Sequence, residues 1–249
     1  MIASRKEILK LNPTFSTFII QLQNSTYNPE LSHQYKEGEE ILFENDKIEK
    51  LTKEAAQRLN QEAIDEFIKK KDYFPFEKET KLNFCGRALF KSTKTDTIVY
   101  LNDIADILNI IRQSLNESSI LILGLIKNSW FQENDYAPIS RAMNYLEEKI
   151  NKNFDGGFIL KENEILKFIP HLFWLIRCNA SLPETYMTFP KSKTIFYICK
   201  YGIIHFEFYD EAEKKQILEI LEKKHFEKVN SCNDPIEFDS FEGRRINLK

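Results

Sequence analysis

The segment "TIFYICKYGIIHFEFYD", residues 194–210, constrains the fold more than any other stretch of the chain. β-Branched and aromatic residues fill it, and Tyr201-Gly202 interrupts it, so it reads as two strands joined by a tight turn. With Tyr201-Gly202 as a two-residue loop, Lys200 faces Ile203 and Ile195 faces Phe208. Alternation then groups Ile195, Tyr197, Cys199, Ile204, Phe206 and Phe208 on one apolar, core-facing side. His205 and Glu207 fall on the opposite, mixed side with Phe196, Ile198 and Lys200. This register predicts that Cys199 and His205 lie across the sheet from each other, out of reach for a thiolate–imidazolium pair. His205 and Glu207 remain as neighbours about 7 Å apart between Cα atoms. They are the acid–base candidates if the protein is an enzyme. The H-x-E spacing opens like the zinc-deaminase signature, but no P-C-x-x-C follows it. No metal site and no cofactor is expected from the sequence.

The hairpin sits within a longer pattern. "ENEILKFIPHLFWLIRCNA" reads as one apolar helix, or two divided at Pro170, and "ETYMTFP" as a further strand. Asp210 and Glu213 form a D-x-x-E start for a helix running to about Phe226. Residues 163–226 therefore read as helix, three strands, helix. Upstream, "TFSTFIIQLQ" is expected as a strand and Asp46 to about Lys71 as an amphipathic helix. "KLNFCGRALFK" and "DTIVYL" read as strands, followed by a helix capped at Asn102 or Asp103. "ILILGLI" is a buried strand or the middle of a buried helix, and a helix from Ala137 to Lys152 stops at "NFDGG". The fold class is α+β, with amphipathic helices packed on small antiparallel sheets. A soft boundary separates an N-terminal α+β region, 1–155, from a C-terminal one, 156–249, unless the two form one continuous domain.

Composition narrows the partners. Hydrophobic residues make up 42% of the 249 residues, enough for a sizeable core, and the net charge is only −3. So small a field does not favour nucleic acid as a partner, although it leaves room for a local basic patch. The longest apolar run, residues 120–126, is far too short for a membrane span. Cys85, Cys178, Cys199 and Cys232 are too widely scattered for a disulfide scaffold or a paired-cysteine zinc motif. Reduced thiols in a cytoplasmic protein are the expectation.

The seven glycines fit no P-loop, dinucleotide-binding or nucleophile-elbow motif. Asp72 with Glu79-x-Lys81 is a weak match to a metal-dependent nuclease pattern, since E-x-K recurs elsewhere in the chain. Arg177, set in the apolar run "HLFWLIRCNA", must reach the surface, pair with a carboxylate or bind an anion. It joins His205 and Glu207 as a catalytic candidate. Trp130, Phe131 and Tyr136, in a polar loop, either anchor that loop to the core or form a binding surface. The expectation is a non-enzymatic cytoplasmic protein that acts by binding another protein, such as a bacterial immunity or inhibitor-type protein. The alternatives are a metal- or acid/base-dependent enzyme on phosphodiester or nucleotide substrates, and an accessory protein of phage defence.

Overall fold

The structure, a computed structural model, describes residues 2–42, 47–131, 137–178, 182 and 184–232. Its centre is an eight-stranded sheet in which every neighbouring pair recorded is antiparallel. In chain order the strands are β1 (Ile2–Ala3), β4 (Gly86–Lys91), β5 (Ile120–Gly124), β6 (Gly157–Leu160), β7 (Thr185–Thr188), β8 (Thr194–Ile198), β9 (Ile204–Phe208) and β10 (Glu227–Val229). They lie side by side as β1-β6-β5-β7-β8-β9-β4-β10. A separate two-stranded sheet joins β2 (Glu40–Leu42) to β3 (Ile48–Lys50). The helices are α1 (Arg5–Leu11), α2 (Pro13–Tyr27), α3 (Lys53–Lys70), α4 (Thr97–Ser114), α5 (Ala137–Glu147), α6 (Glu162–Cys178) and α7 (Glu211–Lys223). This is the expected α+β class. The boundary anticipated near residue 155 falls between β5 and β6, which pair directly with each other. Among the described residues, no helix is long and apolar enough to cross a membrane.

Alternation along the strands produces two cores. Ile120 and Ile122 of β5, Phe158 of β6, Phe196 of β8 and Phe206 of β9 point into a core shared with α4, α5, α6 and α7. Leu121 and Leu123 of β5, Tyr186 of β7 and Ile195 of β8 point to the other side, against Ile8 and Leu9 of α1 and Phe15 of α2. Strand β5 is buried at every position, which explains its unbroken apolar run.

Several elements differ from the sequence expectation. Residues 14–23 are helical, not extended. Asn12 caps α2 by accepting a hydrogen bond from Phe15 N, and Pro13 occupies the first turn. The seven residues 14–20 are all buried, so no polar face was present to reveal the helical period. "DTIVYL" is the start of α4, because the Asp96 side chain accepts from Val99 N and moves the cap upstream of Asn102. Likewise α3 begins at Lys53 behind a Thr52 cap, which leaves Ile48 in β3. The helix from Ala137 ends at Glu147, and α6 runs unbroken through Pro170. Strands β1, β2, β6 and β10 have no counterpart in the sequence reading. The segment "PIEFDS…RRINL", whose pattern around Glu242-Gly243 reads as a further hairpin, lies outside the described residues.

The hairpin register differs too, by one residue. Cys199 N donates to Ile203 O and Gly202 N donates to Cys199 O, closing a three-residue connection. Gly202 takes φ +78, the left-handed conformation such connections favour. Tyr100 Oη donates to Gly202 O from inside the core and fixes the turn from below. As a result Ile195 faces Glu207, Phe196 faces Phe206 and Tyr197 faces His205. A one-residue slip exchanges the faces of one strand relative to the other.

A buried polar network ties α1 to the sheet. Arg5 Nη2 lies 2.6 Å from Asp72 Oδ2, with both side chains 5% exposed. The same guanidinium donates to Gly124 O and Ile126 O at the end of β5. Gln23 of α2 donates to Asp72 and to Leu125 O, and accepts from Asp72 N. Removing one member of a buried ion pair strands the other charge in a poorly solvating environment. Asp72→Asn is therefore expected to lower unfolding stability by about 3 kcal/mol, read as a lower urea midpoint. Arg5→Met combined with Asp72→Leu should lie closer to wild type than Asp72→Asn alone.

Candidate metal centre

The corrected register brings Cys199 and His205 to the same side of the sheet. Ile204, Phe206 and Phe208 of β9 face the core under α4, α6 and α7, so His205 and Glu207 between them face the opposite side. On β8 that side carries Ile195 and Tyr197, and Cys199 continues the alternation just beyond the strand. His205 is 6% exposed, and its ring stacks on Tyr197 at 4.3 Å between centroids and 17° between planes.

The third member comes from a distant part of the chain. Helix α7 ends at Lys223, and His225 takes a left-handed φ of +60 before β10 begins at Glu227. β10 pairs with β4 so that Val229 faces Leu89, while Leu89 faces His205 on the next strand. To reach His205, the segment after Val229 turns back across β4. Cys232 Sγ then lies 3.1 Å from His205 Nε2. Cys199 Sγ, Cys232 Sγ and a ring nitrogen of His205 all lie within 4.8 Å of one another.

The protonation pattern bears on which of two chemistries the trio suits. Burial, with a contribution from the nearby Arg87 charge, holds the His205 imidazole down at about 4, so it is neutral near pH 7. Burial pushes the Cys199 thiol up to about 11. A catalytic thiolate–imidazolium pair needs the opposite shifts. A neutral imidazole is instead the form that binds a metal, and a divalent cation displaces thiol protons when it binds. In a tetrahedral zinc site the ligand atoms sit roughly 3.5–3.8 Å apart, given bond lengths of about 2.0–2.3 Å. The trio needs only small side-chain adjustments to reach that spacing.

The other sequence candidates are placed as follows. Glu207 shares the face of His205, but Arg87 Nη2 sits 2.6 Å from its Oε1 and Tyr209 Oη donates to its Oε2. Both carboxylate oxygens are therefore engaged. Arg177 lies in the last turn of α6, on the other side of the sheet from His205, with its guanidinium 5.7 Å from the Phe173 ring. Its Nη1 donates to Lys200 O, so it supports the turn next to Cys199 and does not join His205 and Glu207 in one cleft. Trp130 is 1% exposed, and its Nε1 donates to Gly156 O, which makes the indole part of the core and not of a binding surface. Phe131 is half-buried against the same core, and Tyr136 lies outside the described residues. Asp72 is buried in an ion pair with Arg5 and is bonded by Gln23, so its carboxylate already has partners.

The sequence contained one part of this centre, the six-residue step from Cys199 to His205, and the two-residue loop assignment put that step on the wrong faces. Cys232 had no local signal, because a whole helix and strand separate it from His205. An open cleft of about 930 Å³ lies elsewhere, lined by Arg5, Lys6, Asp72, Tyr73, Lys127 and Phe154 among others, and contains none of the trio. No protein-family model matches the chain, and no curated protein and no solved structure matches it.

Proposed function

We propose that the protein binds one zinc-class divalent cation at Cys199, His205 and Cys232, and that the ion fastens the chain after β10 to the sheet. The observation that carries this reading is the meeting of three ligand atoms, from a turn, a strand and a distant segment, within 4.8 Å. Two thiolates and an imidazole are soft to borderline donors, which select zinc over magnesium or calcium. Three protein ligands leave a fourth position for water or an added donor. Glu207, the nearest candidate for a general base, is already paired with Arg87 and Tyr209. That favours a structural ion over a hydrolytic one.

Calorimetric titration of the reduced full chain should give one equivalent of zinc. Loss of outer-shell partners typically costs about 10–100-fold in metal affinity. Losing a ligand in Cys199→Ser or Cys232→Ser should therefore cost roughly 100-fold or more, with Cys85→Ser unchanged. Cobalt should give a thiolate charge-transfer band that both ligand variants lose. No stoichiometric binding, or full binding by Cys232→Ser, would sink the proposal. Zinc at 100 times its Kd should raise unfolding stability by about 2.7 kcal/mol, together with slower amide exchange in β10.

Partner-protein binding stands as a second reading, on a separate observation. Leu42 and Ile48 face each other across the β2–β3 pair and are 64% and 66% exposed. A paired apolar patch on a hairpin outside the main sheet suits a small docking surface. If it docks a partner, a host extract should yield one stoichiometric protein that Ile48→Lys fails to retain. Equal retention by both forms would overturn this reading.

A further inference from the structure

We propose that Cys199 and Cys232 are also a redox pair, which a peroxide-class oxidant joins as a disulfide that excludes the cation. The inference shares its residues with the metal reading but not its chemistry, since the bridge needs no ion. Three observations support it. The two sulfurs lie within 4.8 Å of each other, although 33 positions separate them in the sequence. Both cysteines are partly exposed, so a small oxidant can reach them, while Cys178 is buried in the main core. Cys232 lies three residues beyond β10, outside any strand or helix among the described residues, and a disulfide would close the remaining gap to a bond of about 2.05 Å.

The step balances. One cysteine gives its proton to solvent and attacks the peroxide as the thiolate: an S–O bond forms, the O–O bond breaks, and the expelled hydroxide takes up a proton and leaves as water, giving a sulfenic acid. The second sulfur then attacks that centre: an S–S bond forms, the S–O bond breaks and a second water leaves. Two thiols and one hydrogen peroxide thus give one disulfide and two waters. In the zinc-loaded protein the same oxidation removes both thiolate ligands, leaving His205 alone to hold the ion. Oxidation therefore exchanges an ionic cross-link for a covalent one between the same two points of the chain.

Cys85 provides the internal control. It is also partly exposed, and its Sγ donates to Asn83 O. It does not belong to the trio.

The test treats the reduced, metal-depleted full chain with hydrogen peroxide and maps its peptides without reduction. The expected product is a Cys199–Cys232 linked peptide, lighter by two hydrogen atoms and reversed by dithiothreitol. Cys85→Ser should give the same product, and Cys199→Ala and Cys232→Ala should each abolish it. The zinc-loaded protein should release one ion per bridge formed, read with a chromogenic chelator. A bridge through Cys85, or conversion of Cys199 and Cys232 to sulfinic acids without a bridge, overturns the proposal. Bridge formation in a protein that never binds zinc would uphold it while refuting the metal reading. Zinc binding without a bridge would do the reverse.

Discussion

The turn between β8 and β9 sets the chemistry of one whole side of the sheet. Gly202 adopts a left-handed conformation that residues with a Cβ rarely take, and Tyr100 holds its carbonyl from the core side. With three residues between Cys199 and Ile203 in place of two, Phe196 meets Phe206 on the core side and Tyr197 meets His205 on the other. The stacking of His205 on Tyr197 and the placing of Cys199 on the side of His205 follow from that pairing. The stacking of His205 on Tyr197, the pairing of Glu207 with Arg87 and the approach of Cys232 all require His205 and Glu207 to face away from α4 and α6.

The sequence was most legible where an element has one wet face or a clear cap. Asp210 accepts from Ala212 N and Glu213 N at the start of α7, as the D-x-x-E pattern indicates, and Pro138 sits in the first turn of α5. Legibility failed where burial removed the contrast between faces. α2 is buried along most of its length, and its run of Thr, Phe, Ser and Ile is equally compatible with a strand. The hairpin failed for a different reason. Both of its faces carry aromatic and β-branched residues, so hydrophobic alternation fits two registers equally well and only the turn geometry separates them. The candidate centre inherited that ambiguity, and its third ligand depends on the path of the chain after α7, which no spacing rule encodes.

The Arg5–Asp72–Gln23 network plays a similar part for the opposite half of the sheet. It joins α1, α2 and the segment after α3 to the carbonyls that follow β5, where the strand stops pairing and its backbone needs other partners. Asp72 looked like a metal ligand in the sequence because an acidic residue before E-x-K is a catalytic pattern. Its neighbours in space show instead a carboxylate paired with Arg5 and bonded by Gln23. The cysteines are dispersed along the sequence, yet Cys199 and Cys232 meet at His205 in space.

The position of β10 has a further consequence for how copies of this protein behave towards one another. The two outermost strands of the sheet, β1 and β10, span only two and three residues. Short outer strands offer few unpaired backbone groups for a neighbouring chain to zip onto. β4, just inside β10, is six residues long, and peeling β10 away would uncover a longer template. The Lys91–Glu227 ion pair and the fold-back that carries Cys232 to His205 both resist that peeling. Either cross-link proposed at Cys232 would add to that resistance and so guard against sheet-to-sheet aggregation.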